Sequence, residues 1–232
     1  MNVVSIDIET TGLDYLHDDV IEFAVHNDVG TSHMYLVSDV ESAPEALRRH
    51  HLTREILAER AMFDDRSRSL EMIASMIADR STCVVSHNVG FVFTMLACNM
   101  IREGVDEGVL RSFMGTTSAI DIMVMDVMLN PNDHSRSRAL SSLCDLYGIR
   151  HRPDGSAMRD SRCISEISDI QIGLLLNGDD PTDDRMRALM NLVRDRAFEQ
   201  QRDRNRWLRD HDRDDEISIG YPINMDMCSR LM

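Results

Sequence analysis

The chain has 232 residues and is 43% hydrophobic, enough for one ordinary domain with a real core plus an extension. Its formal net charge of -15 argues against gripping nucleic acid by bulk electrostatics, though not against clustered carboxylates served by a local basic path. No apolar run approaches the ~18 residues of a membrane span, and the five cysteines, dispersed without C-x-x-C spacing, read as reduced thiols of a cytoplasmic protein, not a disulfide or zinc framework.

A first strand is expected over 2–8. It starts directly in the apolar run Val3-Val4-Ser5-Ile6, with neither a basic leader nor a cleavage site, so no signal peptide is expected. The string Asp7-Ile8-Glu9-Thr10-Thr11-Gly12-Leu13 then places two carboxylates on one strand face, because residues i and i+2 project together. Adjacent carboxylates repel and pay desolvation unless a positive charge sits between them, and a divalent cation with oxygen ligands is the natural occupant. Thr10-Thr11-Gly12 supplies a tight exit from the strand.

Strands over 20–26 and 32–37, joined by the turn residues Asn27-Asp28-Val29-Gly30, complete a three-strand meander. Glu22 inside the second is either a supporting carboxylate or a solvated strand residue. Helices follow at about 43–50, 53–61 and 67–80, the last with Leu70, Ile73, Met76 and Ile77 as its buried stripe. A buried strand, Thr82 to Ser86, precedes a turn and a helix at about 90–103. A short strand near 118–121 leads into a helical segment from Ile122 to Leu129, ended by Asn130-Pro131-Asn132. Residues 137–147 form another helix, and the next begins near Asp160, which suits either a helix cap or a metal ligand. Strands and helices alternating after a meander indicate an α/β class.

Three of these segments together resemble the DnaQ-like (DEDDh) 3'-5' exonuclease family of the RNase H-like superfamily. Asp7-Ile8-Glu9-Thr10-Thr11-Gly12-Leu13 resembles its D-x-E motif. His87-Asn88-Val89-Gly90-Phe91-Val92 is similar to its H-N-x-x-F-D segment, and Gly155-Ser156-Ala157-Met158-Arg159-Asp160 to its H-x-A-x-x-D segment. The resemblance spans roughly residues 1–175. It implies an α/β, RNase H-like mixed sheet flanked by helices and hydrolysis of the 3'-terminal phosphodiester with Mg²⁺ or Mn²⁺ in a two-metal site. By that resemblance Asp7, Glu9 and Asp160 are the catalytic, metal-holding carboxylates. Thr10, Thr11, Gly12, Leu13, His87, Asn88 and Phe91 then border the substrate, though His87 and Asn88 also suit a plain turn.

Two family positions are altered. Val92 stands at the Asp that supports the second cation, and Gly155 at the His that serves as general base. The implied activity is accordingly impaired, and the alternative is a catalytically inactive pseudo-exonuclease that binds nucleic acid or protein. His134 and His151 are the loop histidines near enough in sequence to stand in as a base. The implied partner is a nucleic acid 3' end, with single-stranded DNA favoured, alongside replication or repair proteins and no membrane.

The exonuclease unit is expected over 1–178 and a charged helical C-terminal extension over 179–232, with a long helix to about 210 and a short strand at Ile217–Tyr221. All 25 cationic residues of the chain are arginine. In the extension Arg202, Arg204, Arg206, Arg209 and Arg213 interleave with Asp203, Asp210, Asp212, Asp214 and Asp215. That pattern reads as a solvated, ion-paired helix or as a strip guiding a strand, with Trp207 stacking on a base.

Overall fold

Five strands build one mixed sheet: β1 (Asn2–Thr10), β2 (Val20–Asn27), β3 (Gly30–Tyr35), β4 (Thr82–Ser86) and β5 (Ala119–Asp121), in the order β3-β2-β1-β4-β5. A computed structural model describes residues 1–78, 81–116, 118–133, 135–150, 152–211, 213 and 220–232. β1 runs antiparallel to β2 and parallel to β4; β2–β3 is an antiparallel hairpin and β4–β5 a parallel pair. The Asn27 side chain accepts from the Val29 and Gly30 amides, which closes the hairpin turn. This is the mixed sheet, meander first and crossovers after, that the RNase H-like resemblance implies.

The helices are α1 (Pro44–His50), α2 (Arg54–Arg60), α3 (Arg66–Ile77), α4 (Val89–Arg102), α5 (Glu107–Met114), α6 (Ile122–Leu129), α7 (Leu140–Tyr147), α8 (Ala157–Leu175), α9 (Asp183–Asp210) and α10 (Met225–Ser229). Period-two alternation sorts the strands between two cores. Val4, Ile6, Ile8, Phe23 and Val84 pack with α3, α4 and α5 on one face. Cys83, Val85 and Ile120 pack with α6, α7, α8 and α9 on the other. In α9, Met186, Leu189, Met190, Val193 and Ala197 supply its buried side, so the first half of this charged helix belongs to the second core. All five cysteines are free and buried. No described helix is long and apolar enough to cross a membrane.

Two helices, α5 and α10, were not expected from the sequence. α5 is capped by Asp106, whose carboxylate accepts from the Gly108 and Val109 amides, and it buries Phe113. The strand expected at Ile217–Tyr221 falls partly outside the described residues, and Gly220 and Tyr221 lie outside any strand.

Candidate metal centre

β1 pairs with β4 only as far as Ser5, opposite Val85, yet continues to Thr10. Its last residues therefore overhang the carboxyl end of the parallel pair, where open α/β sheets form crevices. On the other side β1 keeps its pairing with β2, placing Asp7 opposite Ala24 and Glu9 opposite Glu22, until the register slips between Glu9 and Thr10. A bulge at this point re-aims the strand at the edge of the site. Since Ile6 and Ile8 face the first core, Asp7 and Glu9 face the layer in which α8 packs across β1 and β2.

The first turn of α8 delivers Asp160 to that face. One carboxylate oxygen each from Asp7, Glu9 and Asp160 lies within 4.8 Å of the others, and all three residues are buried. Two oxygens bound to one Mg²⁺ stand at most about 4.2 Å apart, so the cluster needs little contraction to share a hard cation. Burial pushes the Asp7 carboxyl well above its usual range, and the neighbouring Glu9 and Asp160 charges push the same way. Glu9 is raised to about 7, chiefly by burial, although Arg49 opposes the shift. Asp160 is raised to about 6, again by burial first and against Arg49. Glu9 Oε1 and Asp160 Oδ2 are buried without a hydrogen-bond partner. Orphaned oxygens on converging acids fit a divalent cation.

Glu22 differs from the solvated alternative read from the sequence. It is 1% exposed, and its carboxylate accepts the Ala157 amide at 3.1 Å. A strand residue thus caps the helix that carries Asp160, whereas Asp160 itself sits inside the first turn and not at the cap. Burial raises Glu22 to about 7 despite its hydrogen bonds from the Ala157 and Met158 amides and from Ser156. Glu22→Ala leaves a buried amide unpaired and is expected to cost about 1–3 kcal/mol. Glu22→Gln keeps an acceptor oxygen without a charge to bury, and is expected to match or exceed the parent's stability at pH 8. Urea melts in EDTA measure both; equal losses would contradict the capping role.

The remaining predicted site residues make contacts of their own outside the three-carboxylate cluster. Thr10 Oγ1 donates to the Gly12 carbonyl, while Thr11 Oγ1 donates to Asp18 and accepts from the Asp19 amide, so both hydroxyls shape the loop. A Cβ at Gly12 would stand 2.4 Å from the Asp18 carboxylate, so a larger residue there would have to displace that side chain. Leu13 is 79% exposed at the exit of β1. His87 Nε2 lies 2.8 Å from the Arg138 carbonyl. Asn88 adopts a left-handed conformation, φ 59°, ahead of α4. Its amide and that of Val89 donate to Asp121, a buried carboxylate whose importance the sequence did not signal. Phe91 is half-buried, its ring 5.7 Å from that of Tyr15.

Val92 is buried in the first core and brings no oxygen to the site. Among the described residues no fourth carboxylate joins the cluster. His134 and His151 lie outside the described residues. Trp207 stacks on His211 at 4.2 Å with Arg204 over its ring at 5.1 Å, and Arg206 pairs with Asp203 at 3.4 Å.

Gly155 holds a left-handed φ of +78°, and a Cβ on it would lie 2.3 Å from the carbonyl oxygen of Arg49, at the end of α1. Arg49 is the functional candidate that sequence reasoning missed. Its guanidinium Nη2 stands 3.5 Å from Asp160 Oδ2 and 3.9 Å from Glu9 Oε1.

The profile of the RNase T exonuclease family matches residues 4–167. A comparison with curated proteins finds no match. Among solved structures, exonuclease I from Methylocaldum szegediense superposes with a TM-score of 0.61 at 22% identity, over 87% of this chain and 45% of that one. E. coli exonuclease I in complex with a dT13 oligonucleotide gives a TM-score of 0.59 at 18% identity, over 74% of this chain and 40% of that one. The chain thus spans less than half the length of the exonuclease I proteins it matches. At such identities the likeness shows the fold, a five-strand RNase H-like sheet with flanking helices.

Proposed function

Since the chain belongs to the RNase T/DnaQ-like exonuclease family, we propose that it is a divalent-cation-dependent 3'-5' exonuclease acting on single-stranded nucleic acid, DNA foremost, at a lowered rate. The observation that carries this reading is the convergence of Asp7, Glu9 and Asp160, buried and mutually within 4.8 Å. In this reading those three side chains hold Mg²⁺ or Mn²⁺. The bound cation supplies positive charge for the phosphodiester oxygens and acidifies a bound water.

The chain's own residues set the rest. Glu22 fixes the first turn of α8, and with it Asp160. The loop Thr10-Thr11-Gly12-Leu13 is braced by its own hydroxyls, which leaves Leu13 outward to meet the terminal base. His87, Asn88 and Phe91 border the approach along the start of α4. Val92 and Gly155 supply neither a second-cation ligand nor a base, and loss of a general base alone costs typically about 10²–10⁴-fold. Residues 179–232 are read as a helical extension of the unit formed by 1–178.

A second reading is a module that holds a 3' end without cutting; Arg49 in place beside the carboxylates favours it, because a guanidinium binds anions but cannot serve as a base. Incubation with a 5'-labelled single-stranded oligonucleotide and Mn²⁺ separates the two. Stepwise shortening by the parent and none by Asp7→Ala is the result expected of an exonuclease. Retention without shortening, lost in EDTA, supports the binding module and overturns the exonuclease.

A further inference from the structure

Before a metal arrives, a cluster of three buried acids is neutralised by protons, by a counterion, or by both. Among the described residues, Arg49 is the cation that ion-pairs with it. The reach of Arg49 depends on Gly155: a Cβ at that position would stand 2.3 Å from the Arg49 carbonyl oxygen and 2.9 Å from Arg49 Cγ. The missing side chain is therefore what lets the end of α1, and the root of the Arg49 side chain, seat against the segment leading into α8.

The contact is strong enough to place the charge but not to lock it. At 3.5 and 3.9 Å the guanidinium is too far for good hydrogen bonds, and Glu9 Oε1 and Asp160 Oδ2 remain unpartnered beside it. The Arg49 side chain is 63% exposed, so it has room to swing outward. A single positive charge also cannot balance three carboxylates, which leaves a divalent cation the stronger occupant. A guanidinium displaced from the acids stays within a side chain's length of them, and its planar fork suits two phosphate oxygens.

We propose that Arg49 is a displaceable counterion: it neutralises Glu9 and Asp160 in the metal-free protein, and on cation entry it moves to hold an anionic oxygen of the 3'-terminal phosphodiester. The inference rests on the metal-dependent reading above. It makes Arg49 a competitor of the metal and a partner of the substrate at once, and a merely structural arginine would be neither.

Two affinities of the full chain test it. Mn²⁺ binding is measured by calorimetry, and binding of a fluorescent single-stranded oligonucleotide with a phosphorothioate 3' linkage by anisotropy in saturating Mn²⁺. At about pH 8.5, well above the raised Glu9 and Asp160 carboxyls so that protons no longer compete, Arg49→Ala is expected to bind Mn²⁺ about tenfold more tightly, because one competing charge is gone. It is expected to bind the oligonucleotide about tenfold more weakly. Arg49→Lys, which keeps the charge without the fork, is expected to stay within about threefold of the parent for Mn²⁺ while losing oligonucleotide affinity.

Melting in EDTA verifies that both variants are folded. If the parent binds metal and strand but Arg49→Ala changes either affinity by less than twofold, or weakens the metal, the counterion role is overturned and the exonuclease reading stands. If Mn²⁺ binds the parent no better than it binds Asp7→Ala, the metal reading fails and this inference falls with it.

Discussion

In EDTA the Asp7→Asn protein is expected to melt above the parent, and in millimolar Mn²⁺ below it. Asp7 is buried beside Glu9 and Asp160, and its carboxyl is pushed well above the usual range. Without a cation, burying this carboxylate opposes folding, so an uncharged isostere relieves the metal-free protein. With a cation the same charge becomes a ligand, and a metal that binds only the folded state stabilises by mass action. Crossing of the two melting curves is the signature; a variant less stable in both buffers would count against the metal site.

The pH dependence follows the same logic. Asp160 is raised to about 6, and Glu9 and Glu22 to about 7. Between roughly pH 4 and 7 these three carboxyls thus bind more protons in the folded chain than in the unfolded one, and the stability they contribute declines as pH rises through that window. For Glu9 alone, the distance from its ordinary 4.5 to about 7 corresponds to roughly 3 kcal/mol. Urea melts in EDTA are expected to show greater stability at pH 5 than at pH 8, and Mn²⁺ is expected to narrow or reverse the difference. A flat profile in EDTA would mean that these carboxylates ionise freely in the fold.

Gly155→His, which places a histidine where the resemblance expects the general base, is expected to destabilise the protein and not to raise its activity. The backbone at 155 is left-handed, φ +78°, and a Cβ meets the Arg49 carbonyl at 2.3 Å, so the new side chain must push α1 aside. The expected cost is about 3 kcal/mol or more, combining backbone strain with an overpacked contact. Gly155→Ala carries most of that penalty and separates it from the chemistry of imidazole. Denaturant melts measure the loss. A Gly155→His protein as stable as its parent, with faster hydrolysis, would show that α1 gives way freely. Val92→Asp faces a different obstacle, since Val92 lies in an apolar core where an unpaired carboxylate is costly.

The parts of the site legible in sequence are those that depend on local periodicity. Asp7 and Glu9 share a face because a strand repeats every two residues, and the register of Asp160 after Ala157 carries it into the first turn of α8. Capping gave a readable signal for α5, in Asp106 followed by Val109, Leu110 and Phe113, although that helix was not expected. α10 has only five residues, too few for a period to show.

Glu22 and Arg49 were hidden for another reason. A polar residue in a strand shows its face but not what covers that face, and here α8 covers it. Arg49 sits in the last turn of a short helix beside Arg48, and nothing in the spacing separates the one that points at the acids from the one that pairs with Glu45. Both roles arise only when remote segments meet.

The overhang of β1 beyond β4 has a consequence for the order in which the molecule comes together. Asp7 and Glu9 sit on the central strand, and Asp160 on a helix that enters far later in the chain. A cation shared between them ties the two ends of that long loop in the folded state alone, and so favours the closed arrangement by mass action. The first turn of α8 should then exchange its amide hydrogens quickly in chelator and slowly in Mn²⁺, while the amides of β4 and α4 stay protected in both. The acid cluster would act in this way as a clasp on the fold, fastened by the ion that the proposed chemistry would use.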